Sequence, residues 1–215
     1  MTKEERMANL INDPIYAILG EELSLGRNNI DVASAVIDAG VKTIQYREKH
    51  KTWREKYKEA QIIASMCQEK GVTFIMNDSP DIAVACHADG IHVGQDDAPA
   101  PFVRSLVGPD MIIGVSTNTI GEIKGAIADG ADYIGFGPMY PTASKKDANE
   151  VVTEDVIQFA LTKCPIPVVT IGGISLANIG SLYSRGFRSF AMISAIISQA
   201  DICHAVAELR QTLAK

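Results

Sequence analysis

Three short polar clusters, each closing an apolar run, carry residue types able to hold an anion or a cation that bridges to one. In Gln45-Tyr46-Arg47-Glu48-Lys49 alternate side chains of an extended chain share a face, so Gln45, Arg47 and Lys49 point to one side. Two cations and an amide make a concentrated anion site; a solvated loop in which Arg47 pairs with Glu48 is the alternative. Asn77-Asp78 and Gly94-Gln95-Asp96-Asp97 close the next two runs. On adjacent strands Asp78 and one of Asp96 or Asp97 come close together, opposite Arg47 and Lys49. Acids there repel an anionic ligand unless a cation lies between. Mg²⁺ suits that position, because it takes one or two carboxylates, keeps waters and completes its octahedron with phosphate oxygens. Capping the next helix is the alternative role for either aspartate.

A second anion site follows two later runs. Ile171-Gly172-Gly173-Ile174-Ser175 offers two glycines for close backbone approach and Ser175 as a helix N-cap, and Ile193-Ser194-Ala195-Ile196 opens a short helical turn. Helix N-termini present unpaired N–H groups and partial positive charge, which suits a phosphate monoester. Between the sites, a long loop from Gly137 to Lys146 supplies Thr142, Ser144 and Lys145 and reads as a lid. Gly135-Phe136-Gly137 is a weak dinucleotide signature, since no helix follows at once. No Ser/His/Asp triad or catalytic cysteine can be assembled. His92 reads as a packed core histidine, and His50, His87 and His204 as peripheral. Chemistry here rests on charge stabilisation and positioning, and two anion sites on one mouth suggest a transferase joining two phosphorylated substrates.

What must position these residues is an alternation of strand and helix. Apolar, β-branched runs at 15–19, 43–46, 73–76, 90–93, 111–115, 133–136, 167–171 and 189–193 read as strands. Segments with helical spacing follow at 30–39, 52–70, 80–86, 99–106, 120–129, 154–161, 176–183 and 200–213. Strict alternation demands a parallel sheet, and eight units favour a closed (β/α)8 barrel over an open one. A doubly wound reading wants a glycine-rich turn after the first strand, where Gly20-Glu21-Glu22 offers acids instead. Gly40, Gly90 and Gly130 read as left-handed helix stops. Residues 1–215 form one domain, those before about Pro14 an extra helix or loose arm.

Composition narrows the partners. The net charge of −6 comes with no basic run, which argues against nucleic acid. No apolar stretch approaches the ~20 residues of a membrane span. Met1 to Arg6 is charged and leads into no apolar segment, so no signal peptide is read, and the cytoplasm is the expected compartment. Cys67, Cys86, Cys164 and Cys203 have no CxxC spacing and read as buried reduced thiols.

In order along the chain, Gln45–Lys49, Asn77-Asp78, 88–97, Gly114-Val115-Ser116, 132–145, Ile171–Ile174 and Ile193–Ile196 resemble the thiamine phosphate synthase family over nearly the whole length. The resemblance implies coupling of a hydroxymethylpyrimidine diphosphate to a hydroxyethylthiazole phosphate, or its carboxylate, with release of pyrophosphate. It implies that Arg47, Lys49, Asn77, Ser116 and Lys145 hold the diphosphate, with Arg47, Lys49, Ser116 and Lys145 the catalytic group. Gln45 would lie close to the pyrimidine, Asp78 and Asp97 would coordinate Mg²⁺, and Thr142, Ser144, Gly173, Ile193 and Ser194 would receive the thiazole phosphate. The reaction it implies is dissociative, with the diphosphate leaving before the thiazole nitrogen attacks. The chain departs from the family pattern at Asn118, where histidine is common, and at Glu150-Val151-Val152, near which many members carry glycine. The rival of the same barrel family is a thiazole tautomerase, which needs the thiazole phosphate site and an acid–base histidine but no diphosphate site. A sugar-phosphate isomerase needs a paired acid and base that cannot be assembled here, and a silent ligand-binding paralogue would lack something the chain retains. A homo-oligomer is left open.

Overall fold

The computed structural model describes residues 1–142 and 150–214. Eight parallel strands close into a barrel, each bonded to the next in chain order and the last to the first. They are β1 (Ile15–Leu19), β2 (Thr43–Tyr46), β3 (Thr73–Asn77), β4 (Gly90–Val93), β5 (Ile112–Thr117), β6 (Tyr133–Phe136), β7 (Val168–Ile171) and β8 (Ser189–Met192). Around them pack α2 (Asn29–Asp38), α3 (Trp53–Lys70), α4 (Pro80–Ala85), α5 (Ala100–Val107), α6 (Ile120–Ala128), α7 (Glu154–Lys163), α8 (Ile179–Ser184) and α10 (Ile202–Leu213), with a one-turn α9 (Ser194–Ile197) after β8. The (β/α)8 expectation holds, and every expected run is a strand. β5 runs past 115 because Ser116 and Thr117 stay in register with Gly135 and Phe136 of β6. Ser116 is therefore a strand residue, held more firmly than a loop would hold it.

The two-residue alternation sorts side chains into two cores. Tyr16, Ile18, Ile75, Ile112, Tyr133 and Val169 fill the barrel, while Ile15, Ala17 and Leu19 pack outward beneath the helices. Leu10 joins the inner cluster from α1 (Lys3–Asn12), so the N-terminal segment is a helix stopping the barrel's lower end, not a loose arm. Ion pairs Lys3–Asp132 at 2.7 Å and Arg6–Asp89 at 2.8 Å hold it there. The same aspartates accept backbone N–H groups of Ile113 and Phe74, tying the strand starts together.

Local details depart from expectation for identifiable reasons. Gly40 and Gly130 are left-handed stops, at φ 78° and 75°, but Gly90 is not; His87, at φ 55°, takes that conformation instead. A Cβ on Gly90 would lie 2.6 Å from Ile75 Cδ1, so glycine is there for space. α8 starts at Ile179 because Asn178 accepts from the Ser175 N–H at 2.8 Å and donates to the Gly173 carbonyl at 2.9 Å. That clasp keeps 175–178 in a turn, and Ser175 is not an N-cap. All four cysteines are free; contrary to the expectation of burial, Cys164 is only half-buried and Cys203, near the start of α10, is exposed. Burial pushes the Cys67 thiol up to about 12 and Cys86 to about 11, leaving both unreactive. Among the described residues no helix is long and apolar enough to cross a membrane.

Inside the barrel a tight demand falls on Gly114, where a Cβ would sit 2.1 Å from Tyr133 Cζ and 2.5 Å from His92 Nδ1. Gly114→Ala should destabilise by about 1–3 kcal/mol or more through overpacking. Urea unfolding of the two proteins measures this; equal midpoints would mean that the barrel interior has slack.

Candidate active site

The loop after β2 owes its geometry to Glu48. Its Oε1 accepts from the Glu21 N–H and from Asn29 Nδ2, both at 2.7 Å, so it turns away from the mouth. Glu59 reinforces this side by accepting from Tyr46 Oη at 2.7 Å and from Lys51 Nζ at 2.5 Å. Strand alternation then sends Gln45, Arg47 and Lys49 the other way, where all three line a cavity of about 120 Å³ over the barrel core. The alternative Arg47–Glu48 pair does not form.

Across from these cations stand the acids. Asp78 follows β3 in the left-handed conformation, φ 61°, which aspartate tolerates better than most residues. Its carboxylate is ion-paired to Lys49. Asp97, after β4, is clamped by the Gly94 N–H donating to its Oδ2 at 2.7 Å. Burial and the neighbouring Asp78 carboxyl, close enough to hydrogen-bond, hold the Asp97 proton affinity above the ordinary carboxylate range. Asp97 rather than Asp96 meets Asp78 and lines the deep cavity; Asp96 lines only the outer one. Among the described residues no group of three or more His, Cys, Asp or Glu converges as a metal cage. Two carboxylates facing a ligand cavity suit a hard cation that draws its remaining ligands from water and phosphate.

The same deep cavity is lined by residues that the sequence left unread. His92 is not a passive core residue. Its Nε2 lies 2.9 Å from Ser116 Oγ and its Nδ1 2.9 Å from Tyr133 Oη, and it lines the deep cavity with Asn77 and Ser116. Tyr16 joins from β1, accepting from Gln45 Nε2 at 2.8 Å. The available signal was a pair of glycines facing a strand histidine: Gly114 and Gly135 leave the room that His92 fills. His87 is exposed, and His50 and His204 have side chains 74% and 70% exposed, so all three are peripheral as expected.

Above lies an outer cavity of about 520 Å³, lined by Lys49, Ser116, Thr142, Gly173, Ile193 and Ser194 among others. The loop after β6 is pinned to β7, with Met139 N–H donating to Ile171 O at 2.9 Å and Tyr140 N–H to Gly172 O at 3.1 Å. At α9 the first intrahelical bonds run from Ile196 and Ile197 back to the Ile193 carbonyl, so the N–H groups of Ser194 and Ala195 precede them and point out of the turn. Ser144 and Lys145 fall outside the described residues. Every other expected site residue lines one cavity or the other, and of these Lys49, Asp97, Ser116 and Ile193 line both.

A closed barrel with its cavities at the strand C-terminal ends, cations and carboxylates at one side and glycine and helix-turn backbone at the other, defines a phosphate-handling (β/α)8 enzyme. The family model for thiamine monophosphate synthase matches residues 15–196. A thiamine-phosphate synthase of Pelotomaculum thermopropionicum is 43% identical over 215 residues, covering 100% of this chain and 99% of that one. That of Lawsonia intracellularis is 43% identical over 199 residues, covering 93% and 92%. The thiamine phosphate pyrophosphorylase of Pyrococcus furiosus has a structure similar at a TM-score of 0.86, with 29% identity and coverage of 97% and 98%. The chain belongs to the thiamine monophosphate synthase family and is a transferase.

Proposed function

We propose that the chain transfers the pyrimidinylmethyl group of a hydroxymethylpyrimidine diphosphate to a hydroxyethylthiazole phosphate, giving thiamine phosphate and pyrophosphate. The observation that carries this reading is the convergence of Asp78, Asp97, Arg47 and Lys49 on one cavity that continues into the glycine-lined mouth. A tautomerase would need only the second half of that arrangement. It would also need a histidine with a free ring nitrogen, whereas both nitrogens of His92 have partners.

Asp78 and Asp97 would hold Mg²⁺, which when bound neutralises diphosphate oxygens as charge develops on them. Arg47, Lys49, Asn77 and Ser116, joined by Lys145, bind and orient the diphosphate, and Gln45 meets the pyrimidine. Thr142, Gly173, Ile193 and Ser194, with Ser144, fix the thiazole phosphate so that its ring nitrogen faces the departing carbon. The bond to the diphosphate breaks first, and the nitrogen lone pair then captures the pyrimidinylmethyl cation. No side chain need act as a nucleophile; catalysis comes from positioning and charge stabilisation. The four free thiols fit a reducing cytoplasm.

Purified protein supplied with both heterocycles and Mg²⁺ should form thiamine phosphate, and EDTA should abolish it. Absence of product from folded protein that still binds the thiazole phosphate would overturn the reading.

A further inference from the structure

A line of hydrogen bonds crosses the barrel interior beneath the proposed diphosphate site. Gln45 Nε2 donates to Tyr16 Oη at 2.8 Å, and the Tyr16 and Tyr133 hydroxyls meet at 3.0 Å. Tyr133 Oη then reaches His92 Nδ1 at 2.9 Å, and His92 Nε2 reaches Ser116 Oγ at 2.9 Å. Tyr16, Gln45 and Tyr133 are 2%, 3% and 0% exposed, so water does not interrupt the line. Burial holds both phenols far above their ordinary range, and each keeps its single proton. The space is shaped for it: a Cβ on Gly114 would strike Tyr133 and His92, and one on Gly135 would lie 2.8 Å from His92 Cε1.

We propose that this line is polarised from Gln45 to Ser116, so that Tyr133 and His92 are positioning residues that keep the Ser116 proton directed at the diphosphate leaving group. The inference rests on the transfer reaction proposed above. A phenol has one proton and a neutral imidazole one N–H, and with both phenols buried no proton is left unpaired only when all the donors point the same way. Two arrangements exist. With the Gln45 amide donating to Tyr16, Tyr133 donates to Nδ1, His92 Nε2–H donates to Ser116 Oγ, and the serine proton is released toward the cavity. With the amide reversed, every bond reverses, and Ser116 spends its proton on His92. The second arrangement presents only lone pairs to an anion, which repels it. The first also leaves the Gln45 amide oxygen on the cavity side, where it can accept from the amino group of the pyrimidine. Recognition of the ring at one wall thereby fixes the proton donor for the leaving group at the other.

NMR of protein with isotope-labelled histidine nitrogens tests the polarity directly, His92 being assigned by its loss in His92→Gln. The expected spectrum has a protonated, pyrrole-like Nε2 and an unprotonated, pyridine-like Nδ1. The opposite pattern in the folded wild type overturns the proposal. Tyr133→Phe removes the hydroxyl that holds Nδ1 unprotonated, and should lower kcat roughly tenfold while both KM values hold, with His92 becoming a mixture of tautomers. Unchanged kcat, or a loss confined to KM, overturns it as well. Should Tyr133→Phe not fold, Tyr16→Phe cuts the same line one link away and is read by the same two measures. The spectrum needs no turnover, so failure of the transfer reaction and failure of the polarity are separate results.

Discussion

Asp78→Asn should lower kcat/KM by about 10²–10³ at limiting Mg²⁺, with partial recovery as the metal is raised. Asparagine is the informative replacement because Asp78 sits at φ 61°, a conformation Asn also accepts, so the backbone of the loop is kept. Alanine would add backbone strain to the loss of charge and confuse the two. The substitution removes one of the two carboxylates proposed to hold the cation and frees Lys49 from its ion pair. A freed Lys49 could strengthen diphosphate binding in the ground state, so KM for the pyrimidine substrate should change less than kcat. Initial rates over a Mg²⁺ titration separate these effects. Wild-type activity at limiting metal would remove Asp78 from the metal site, whatever happened to KM.

What could be read from the chain divides by chemistry. The eight strands were legible because parallel strands buried on both faces leave continuous apolar runs, and all eight runs fell on strands. Arg47, Lys49 and Asp78 stood out as charges at strand ends and do line one cavity. The choice of Asp97 over Asp96 came from the family resemblance alone, because spacing does not say which of two adjacent side chains turns inward. Tyr16, Tyr133 and His92 were not legible, since in a strand an inward aromatic and a packed histidine look alike whether they fill volume or carry hydrogen bonds. Only the facing strands tell them apart, and the pairing of His92 with Gly114 and of Ser116 with Gly135 is a fact of register. Ser175 failed for a similar reason: its sequence context fits an N-cap, but Asn178 claims its backbone N–H and delays the helix. Gly90 looked like a stop by position and proved to be a space requirement set by Ile75 and Ile112 on neighbouring strands.

Gly173→Ala should raise KM for the thiazole phosphate about tenfold or more while leaving KM for the pyrimidine diphosphate nearly unchanged. Two separate strains produce this. Gly173 is at φ 63°, where a Cβ costs roughly 1–2 kcal/mol. The added carbon would also lie 2.6 Å from the Pro141 carbonyl oxygen and 2.7 Å from Tyr140 Cβ. Those atoms belong to the segment leading to Thr142, which lines the outer cavity with Gly173 itself. To relieve the contact the β6 loop must move off β7, and the Tyr140–Gly172 hydrogen bond at 3.1 Å is the first to lengthen. Gly125→Ala is the control, because it lies exposed in α6 with nothing within 4 Å of its Cβ and should stabilise by about 0.5–1 kcal/mol without touching either KM. Equal rises in both KM values for Gly173→Ala would mean the barrel mouth had collapsed as a whole. A selective rise means that the two phosphorylated groups are held by separable walls, charged side chains at β2 to β4 and backbone at β7 and β8, which is the arrangement a transferase needs if one group is to leave while the other stays.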